Sequence, residues 1–300
     1  MKTYIAIITL LIVNFTMAQD NIEVPTFKTV QVNSYPSDYI TIVVDKKGHI
    51  MLGGEKIKLN TLRAKVSELL YDGINHNIGL SVFFLTELVA DKDMPYSKLV
   101  PVLNELRKMA TYRVLFACNS ETHQRIPRRK TTGFQYKLQP DKNAKSVVEA
   151  VFKKMEAEKK KSNPNETEEA SMIPPPPPPP PPLPHFSREL LEKSSEKMES
   201  KVIVINHKSF TIDNQEMSAA QLAEKFMLWN SKKKIAYILE PSKNCTYEDV
   251  VTPIAQLLTV LKIIRDKESL HQFGKEYSVL DPYQRSDIRH KFPFIMVFDE

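Results

Sequence analysis

The apolar pattern is clearest between residues 82 and 118. Residues 82–90 (VFFLTELVA) are almost unbroken apolar, as in a strand covered on both faces. Asp91 and Asp93 end the run. Asp93 suits the N-cap of a helix, with Pro95 tolerated in its first turn. From Tyr96 onward Leu99, Val100, Leu103, Leu106 and Met109 recur at helical spacing. Lys98, Asn104, Glu105, Arg107 and Lys108 fall between them, so this helix has one apolar face. Residues 112–118 then form a second strand. A strand, a helix and a strand this close together predict a parallel crossover unit.

The segment upstream extends the unit. Residues 39–45 (YITIVVD) read as a strand and 49–52 as a short strand that ends at a Gly53-Gly54 hairpin turn. Residues 59–70 read as a helix. The pattern returns in the second half of the chain. At an offset of 160, Val44 falls on Val204, Ile50 on Phe210, Leu52 on Ile212 and Leu62 on Leu222. At an offset of 151, Asp91 falls on Ser242, Asp93 on Asn244, Tyr96 on Tyr247, Val100 on Val251 and Leu106 on Leu257. The polar stretch 71–77, read as a loop in the first copy, absorbs the difference of nine. Asn244 then serves as the N-cap of the second copy, in place of Asp93. An insertion follows Asp266, with a short helix and a turn at Asp281-Pro282. The apolar run 292–299 is the counterpart of 112–118.

The order and spacing of these features resemble the periplasmic domain of the ExbD/TolR family of biopolymer-transport proteins. The features are the strand 39–45, the short strand after it, the helix from Leu59, the apolar strand ending Ala90-Asp91, and Tyr96 before the next helix. The resemblance covers about residues 39–118. It implies a domain that dimerises in the periplasm and contacts a TonB-like or peptidoglycan-linked partner. It also implies a membrane helix with an essential carboxylate in the same subunit. Residues 4–18 contain no Asp or Glu, a departure that argues against direct proton-motive work.

Residues 1–18 (MKTYIAIITLLIVNFTMA) place one Lys before about a dozen apolar residues, with Thr16 and Ala18 at small-residue cleavage positions. This is a secretory signal pattern. The run is shorter than the ~20 residues that span a bilayer, and a retained signal-anchor is the competing reading. Residues 19–38, with Pro25 and Pro36, show little periodicity and read as a lead-in. Residues 39–140 form the first domain and 201–300 the second. Residues 141–200 join them through a charged helix carrying Val147, Val151 and Phe152, a polar stretch low in apolar residues, and the proline run 174–182. Prolines without amide hydrogens adopt the extended polyproline form, a stiff spacer of roughly 34 Å for eleven residues at ~3.1 Å each. Its PPLP end also fits an aromatic groove.

The 42 basic and 36 acidic residues leave a net charge of +6, too mild and too mixed to indicate nucleic acid. The Arg125, Arg128, Arg129 and Lys130 cluster reads as solvated loop. Two cysteines, Cys118 and Cys245, make no disulfide framework. Seven scattered glycines leave no phosphate loop, the seven histidines lack metal-ligand spacing, and no Ser or Cys has a nucleophile setting. No catalytic residue, metal ligand or cofactor is expected. Four residues are candidates for partner contact. Asp91 and Asp93 lie at a strand's C-terminal end, where open α/β sheets place ligands. Tyr96 and Tyr247 recur at matched positions.

The expected architecture is α/β (α+β): two small ExbD/TolR-like domains, each of about four strands and two helices, joined by a proline-rich linker. The expected function is non-enzymatic, in the cell envelope, as a partner-binding component of TonB-type transport. Partners would be TonB-like or other envelope transport proteins, or a second copy in a homodimer. Membrane association would run through residues 1–18. Two other readings stay open: a membrane-anchored energy-transducing subunit, and an exported enzyme with a site near Asp91 and Asp93.

Overall fold

The structure, a computed structural model, describes residues 22–27, 33–36, 40–75, 85–109, 113–120, 130–136, 138, 141, 153, 157, 199–231 and 233–298. The expected signal peptide, polyproline spacer and most of the arginine cluster lie outside these residues.

The β-branched run Ile40–Val44 (β3) is central to the first sheet. It pairs parallel with Leu85–Ala90 (β6), and β6 pairs parallel with Arg113–Ala117 (β7). Two helices make the crossovers. The first, Leu62–Asn75 (α1), follows a 3-10 turn at Leu59–Thr61 and buries Leu62 and Val66, one helical turn apart. The second, Val100–Lys108 (α2), follows a 3-10 turn at Tyr96–Lys98 and buries Val102, Leu103 and Leu106. Ile50–Leu52 (β4) and Glu55–Ile57 (β5) add a hairpin beside β3. Its turn is Gly53-Gly54, with φ of +61° and +91°, the left-handed pair that a two-residue hairpin requires. The helix α1 runs to Asn75, so most of the expected polar loop 71–77 is helical.

The first sheet has seven strands, more than the expected four. Lys130–Tyr136 (β9) lies antiparallel on β7, and Asn33–Pro36 (β2) lies on β9. Gly133 faces Ala117 there, and a Cβ at that position would lie 2.2 Å from the Phe116 carbonyl oxygen, so only glycine fits. Thr26–Phe27 (β1) pairs parallel with Asn119–Ser120 (β8). The stretch before β1 straps the outer face of the sheet, where Val24 is buried with Val43, Val89 and Ala117. These additions fall in segments read as lead-in and turn. Two- to seven-residue strands bordered by prolines carry almost no period, and their partners lie far away in sequence.

The second sheet is built from Glu199–Asn206 (β10), Ser209–Ile212 (β11), Gln215–Met217 (β12), Ile235–Pro241 (β13) and Met296–Phe298 (β14). Its order is β12-β11-β10-β13-β14, and the first sheet contains β5-β4-β3-β6-β7. The β10–β13 and β13–β14 pairs are parallel and both hairpin pairs are antiparallel, so strand senses match as well. Ala219–Asn230 (α3) buries Leu222 and Phe226, 160 positions after Leu62 and Val66. Tyr247–Phe273 (α4) follows β13, and the inserted Pro282–Lys291 (α5) is capped by Asp281 through the Tyr283 and Gln284 amides. One apolar cluster runs through both sheets, from Ile42 and Leu88 to Tyr247 and Met296.

Candidate functional site

The two crossover junctions that carry the four candidate residues meet each other. Pro95 and Thr246 face one another in an antiparallel bridge. The Tyr96 amide donates to the Cys245 carbonyl at 2.9 Å, the Tyr247 amide donates to the Met94 carbonyl at 2.8 Å, and the Glu248 amide donates to the Lys92 carbonyl at 3.1 Å. Peptide groups between the halves are thus paired as in a short two-stranded ribbon, which lets them be buried without an unsatisfied donor.

Each tyrosine crosses to the other half. The Tyr96 ring stacks on Phe298 of β14 at 6.1 Å, and the Tyr247 ring packs on Phe116 of β7 at 6.2 Å. Tyr96 is 3% exposed and Tyr247 0%. The Tyr247 hydroxyl donates to the Ala117 carbonyl at 3.2 Å, with the Leu88 carbonyl at 3.5 Å. Burial pushes its phenol well above the usual value, so it stays a neutral donor. A third tyrosine, Tyr136 on β9, packs edge-on to Phe298 at 5.2 Å and donates its hydroxyl to the Met296 carbonyl at 2.9 Å. Sequence reasoning missed Tyr136 because β9 carried no strand signal.

The two aspartates fix the junction of the first half. One Asp91 carboxylate oxygen accepts the Asp93 amide at 3.1 Å and lies 3.4 Å from the Lys46 ammonium, which also reaches Asp93 at 3.3 Å. The hydrogen bond to Asp93, with the charge of Asp91, raises the Lys46 pKa. Asp91 is buried and Asp93 is exposed. Asp93 is not the expected helix cap: α2 begins at Val100 after Leu99, and no side chain caps it. Asn244 is not a cap either. Thr246 caps α4 in a reciprocal box with Asp249, a Thr-x-x-Asp signal that was present in the sequence. The side chain of Lys98 stands where Asp249 stands in the second half, and a lysine cannot accept the amides that a cap must satisfy.

Asp249 is the most heavily bonded carboxylate here. It accepts the Thr246 amide at 2.8 Å and hydroxyl at 2.9 Å, the Lys208 amide at 2.9 Å, and pairs with His207 Nδ1 at 3.1 Å. Burial pulls its pKa up, but these hydrogen bonds outweigh it and hold the carboxyl below the usual value. Its neighbour Glu248 goes the other way, because burial raises it and the Lys92 charge only partly offsets that. Lys92 ties the N-terminal strap to the junction. Its amide donates to the Glu23 carbonyl at 2.7 Å and its ammonium pairs with the Glu23 carboxylate at 2.8 Å. Cys118 and Cys245 are buried thiols in no disulfide, and burial raises both, Cys245 to about 11. Among the described residues no His, Cys, Asp and Glu group could hold a metal ion, and no helix is long and apolar enough to cross a membrane.

The polar groups of this region therefore hold backbone turns and join two halves. The family described as Biopolymer transport protein ExbD/TolR matches residues 3–121. No curated protein matches the chain, and no solved structure does. The matched stretch holds β1 to β8, the strap and the junction from Asp91 to Tyr96, so it is this N-terminal region that is similar to the ExbD/TolR biopolymer transport proteins.

Proposed function

We propose that the chain is a non-enzymatic component of the cell envelope that serves TonB-type transport by binding partner proteins. The family match over residues 3–121 carries this reading. The junction chemistry supports it: Asp91, Asp93 and Asp249 are committed to turns, caps and ion pairs. The second half acts as a second unit of the same type, supported by the shared strand order. Of the four candidate residues, Asp93 is the exposed one and the one that meets a TonB-like or other envelope protein. A photo-crosslinking amino acid at position 93 in host cells should capture such a protein. Capture only of proteins unrelated to transport would overturn the reading.

A second reading is favoured by one observation. The family match begins at residue 3 and so includes the apolar stretch 4–18. On this reading the stretch is a retained membrane anchor and the chain a subunit of an energised complex. Mass spectrometry of the mature protein decides: a terminus at Gln19 supports the exported form, and an intact Met1 supports the anchored one.

A further inference from the structure

We infer that the second half is the built-in dimer partner of the first, so that one chain closes a two-fold unit that would otherwise need two chains. The bridge between the halves and the two amide bonds that flank it are reciprocal under a single shift of 151 positions. Tyr96 amide to Cys245 carbonyl becomes, under that shift, Tyr247 amide to Met94 carbonyl, and both bonds are present. Pro95 and Thr246 exchange with each other and face each other across the bridge. The aromatic contacts exchange too. Leu88 pairs with Phe116 across β6 and β7, and Leu239, its counterpart 151 positions on, pairs with Phe298 across β13 and β14. Phe116 and Phe298 are therefore equivalent. Tyr96 on Phe298 and Tyr247 on Phe116 are the same contact made twice, at 6.1 and 6.2 Å. A contact in which residue i meets j and j's counterpart meets i is the signature of a two-fold, self-complementary interface. Two domains merely strung on a linker have no reason to satisfy it at bridge, amide and ring together.

The same contacts occupy edges at β7 and β14 that a second chain could otherwise use. The outer carbonyl of Met296 on β14 is taken by Tyr136 of the first half, and the outer side of β7 is taken by β9. The other sheet edges resist strand addition: β5 presents Glu55 and Lys56, β12 presents Gln215 and Glu216, and β2 ends in Pro36. The roughly 60 residues between β9 and β10 reach about 45 Å even as a random coil, which keeps the halves at an effective concentration in the millimolar range. Pairing within the chain thus outcompetes pairing between chains at ordinary protein concentrations.

The full chain with Pro95→Cys and Thr246→Cys tests this. The two positions form a close, non-hydrogen-bonded antiparallel pair, whose Cα spacing suits a disulfide. Oxidation should give a bond within one chain, at the mass of one chain and at every protein concentration. Disulfide-linked pairs of chains, or folded protein that on denaturation titrates four thiols rather than the two of Cys118 and Cys245, would overturn the inference. A second form of the chain, otherwise unaltered, carries a protease site between Asn163 and Ser171. After cleavage the two pieces should stay together at micromolar concentration, and Tyr247→Ala should weaken that association about 100-fold or more. Pieces that separate at micromolar concentration with Tyr247 intact would sink it. Either outcome stands apart from the transport reading, which the crosslink at position 93 tests.

Discussion

The hairpin turns and helix starts of the two halves solve the same geometric problem with opposite chemistry. In the first half the turn from β3 to β4 has Gly48 at φ +84°, and the Asp45 carboxylate accepts the Lys47 and His49 amides at 2.9 and 2.8 Å. In the second half Lys208 holds the equivalent left-handed position at φ +62°, and Ile205 stands where Asp45 does. The missing carboxylate arrives from the helix: Asp249 of α4 accepts the Lys208 amide. Lys98 is the counterpart of Asp249, and it reaches the same turn as a donor, to the Lys46 carbonyl at 3.0 Å. One position, an acid in one half and a base in the other, ties helix to hairpin in both. The acid also completes a capping box and starts a 27-residue helix at Tyr247, whereas the base leaves a 3-10 turn and a nine-residue helix. The identity of the third residue of a helix thus decides both how the helix begins and who stabilises the neighbouring turn.

The largest expected effect lies where the halves exchange side chains. Tyr247→Ala removes a fully buried ring packed on Phe116 and a hydroxyl bonded to Ala117, and should cost about 4 kcal/mol. Tyr96→Ala should cost less, about 3 kcal/mol, because its ring keeps a trace of exposure where that of Tyr247 has none. Tyr247→Phe isolates the hydroxyl and should cost about 1 kcal/mol. Urea unfolding of the full chain measures all three. Equal losses for the two alanine variants would mean that the contact is as symmetric in energy as in geometry.

Much of this was legible in the chain. The apolar run before Asp91, the helical spacing from Leu99, and the constant offsets that place Tyr247 on Tyr96 all follow from periodicity. The hairpin at Gly53-Gly54 follows from the need for positive φ. What was not legible depends on distant partners. The strand β9 is recognisable only from the notch that Gly133 fits beside Phe116, and β1 and the strap only from the outer face they cover. The capping box of α4 is legible as Thr246 and Asp249 three residues apart, but Asn244, two residues earlier, carries the same capping chemistry and competes with it in sequence. The tyrosines were visible as a matched pair, but that each meets the other half rather than a separate protein is a matter of docking, which no local pattern encodes.

The acid and base at the equivalent helix positions predict different responses to pH. The folded-state pKa of Asp249 lies below its ordinary value of 3.8. Its contribution is fully present above that value and is lost as pH falls through it toward the folded pKa. Asp249→Asn keeps the size and some of the hydrogen bonds, so it should cost about 2 kcal/mol at pH 7 and flatten the acid limb of the stability curve. Glu248 works against this. Burial raises its folded pKa above 4.5, so its protonation favours the folded form as pH falls, and Glu248→Gln should steepen the limb. Lys98→Met removes only an exposed donor and should cost under about 1 kcal/mol, with no change in the acid limb. An unchanged acid limb in Asp249→Asn would show that other carboxylates govern it.

The smallest effect tests whether the second half bears strain that the first avoids. Gly48 and Gly54 have Lys208 and Asn214 as their counterparts, and both of these non-glycine residues adopt positive φ, +62° in each case. A left-handed conformation costs an ordinary L-residue about 1 kcal/mol, and asparagine less. Lys208→Gly should therefore stabilise the chain by up to about 1 kcal/mol, reduced by the added freedom of glycine in the unfolded state. Asn214→Gly should change it by a few tenths. The reverse substitution, Gly48→Ala, should destabilise by about 1 kcal/mol, with a further contribution from Lys98, whose Cδ would lie 3.1 Å from the new Cβ. The Asp249 acceptor is what makes Lys208 tolerable, because it bonds the amide of the strained residue itself. The gain from Lys208→Gly should consequently be larger in an Asp249→Asn background than in the unaltered chain, and a double-mutant cycle in urea reads that difference. Strict additivity would mean that the carboxylate caps its helix and leaves the turn to itself.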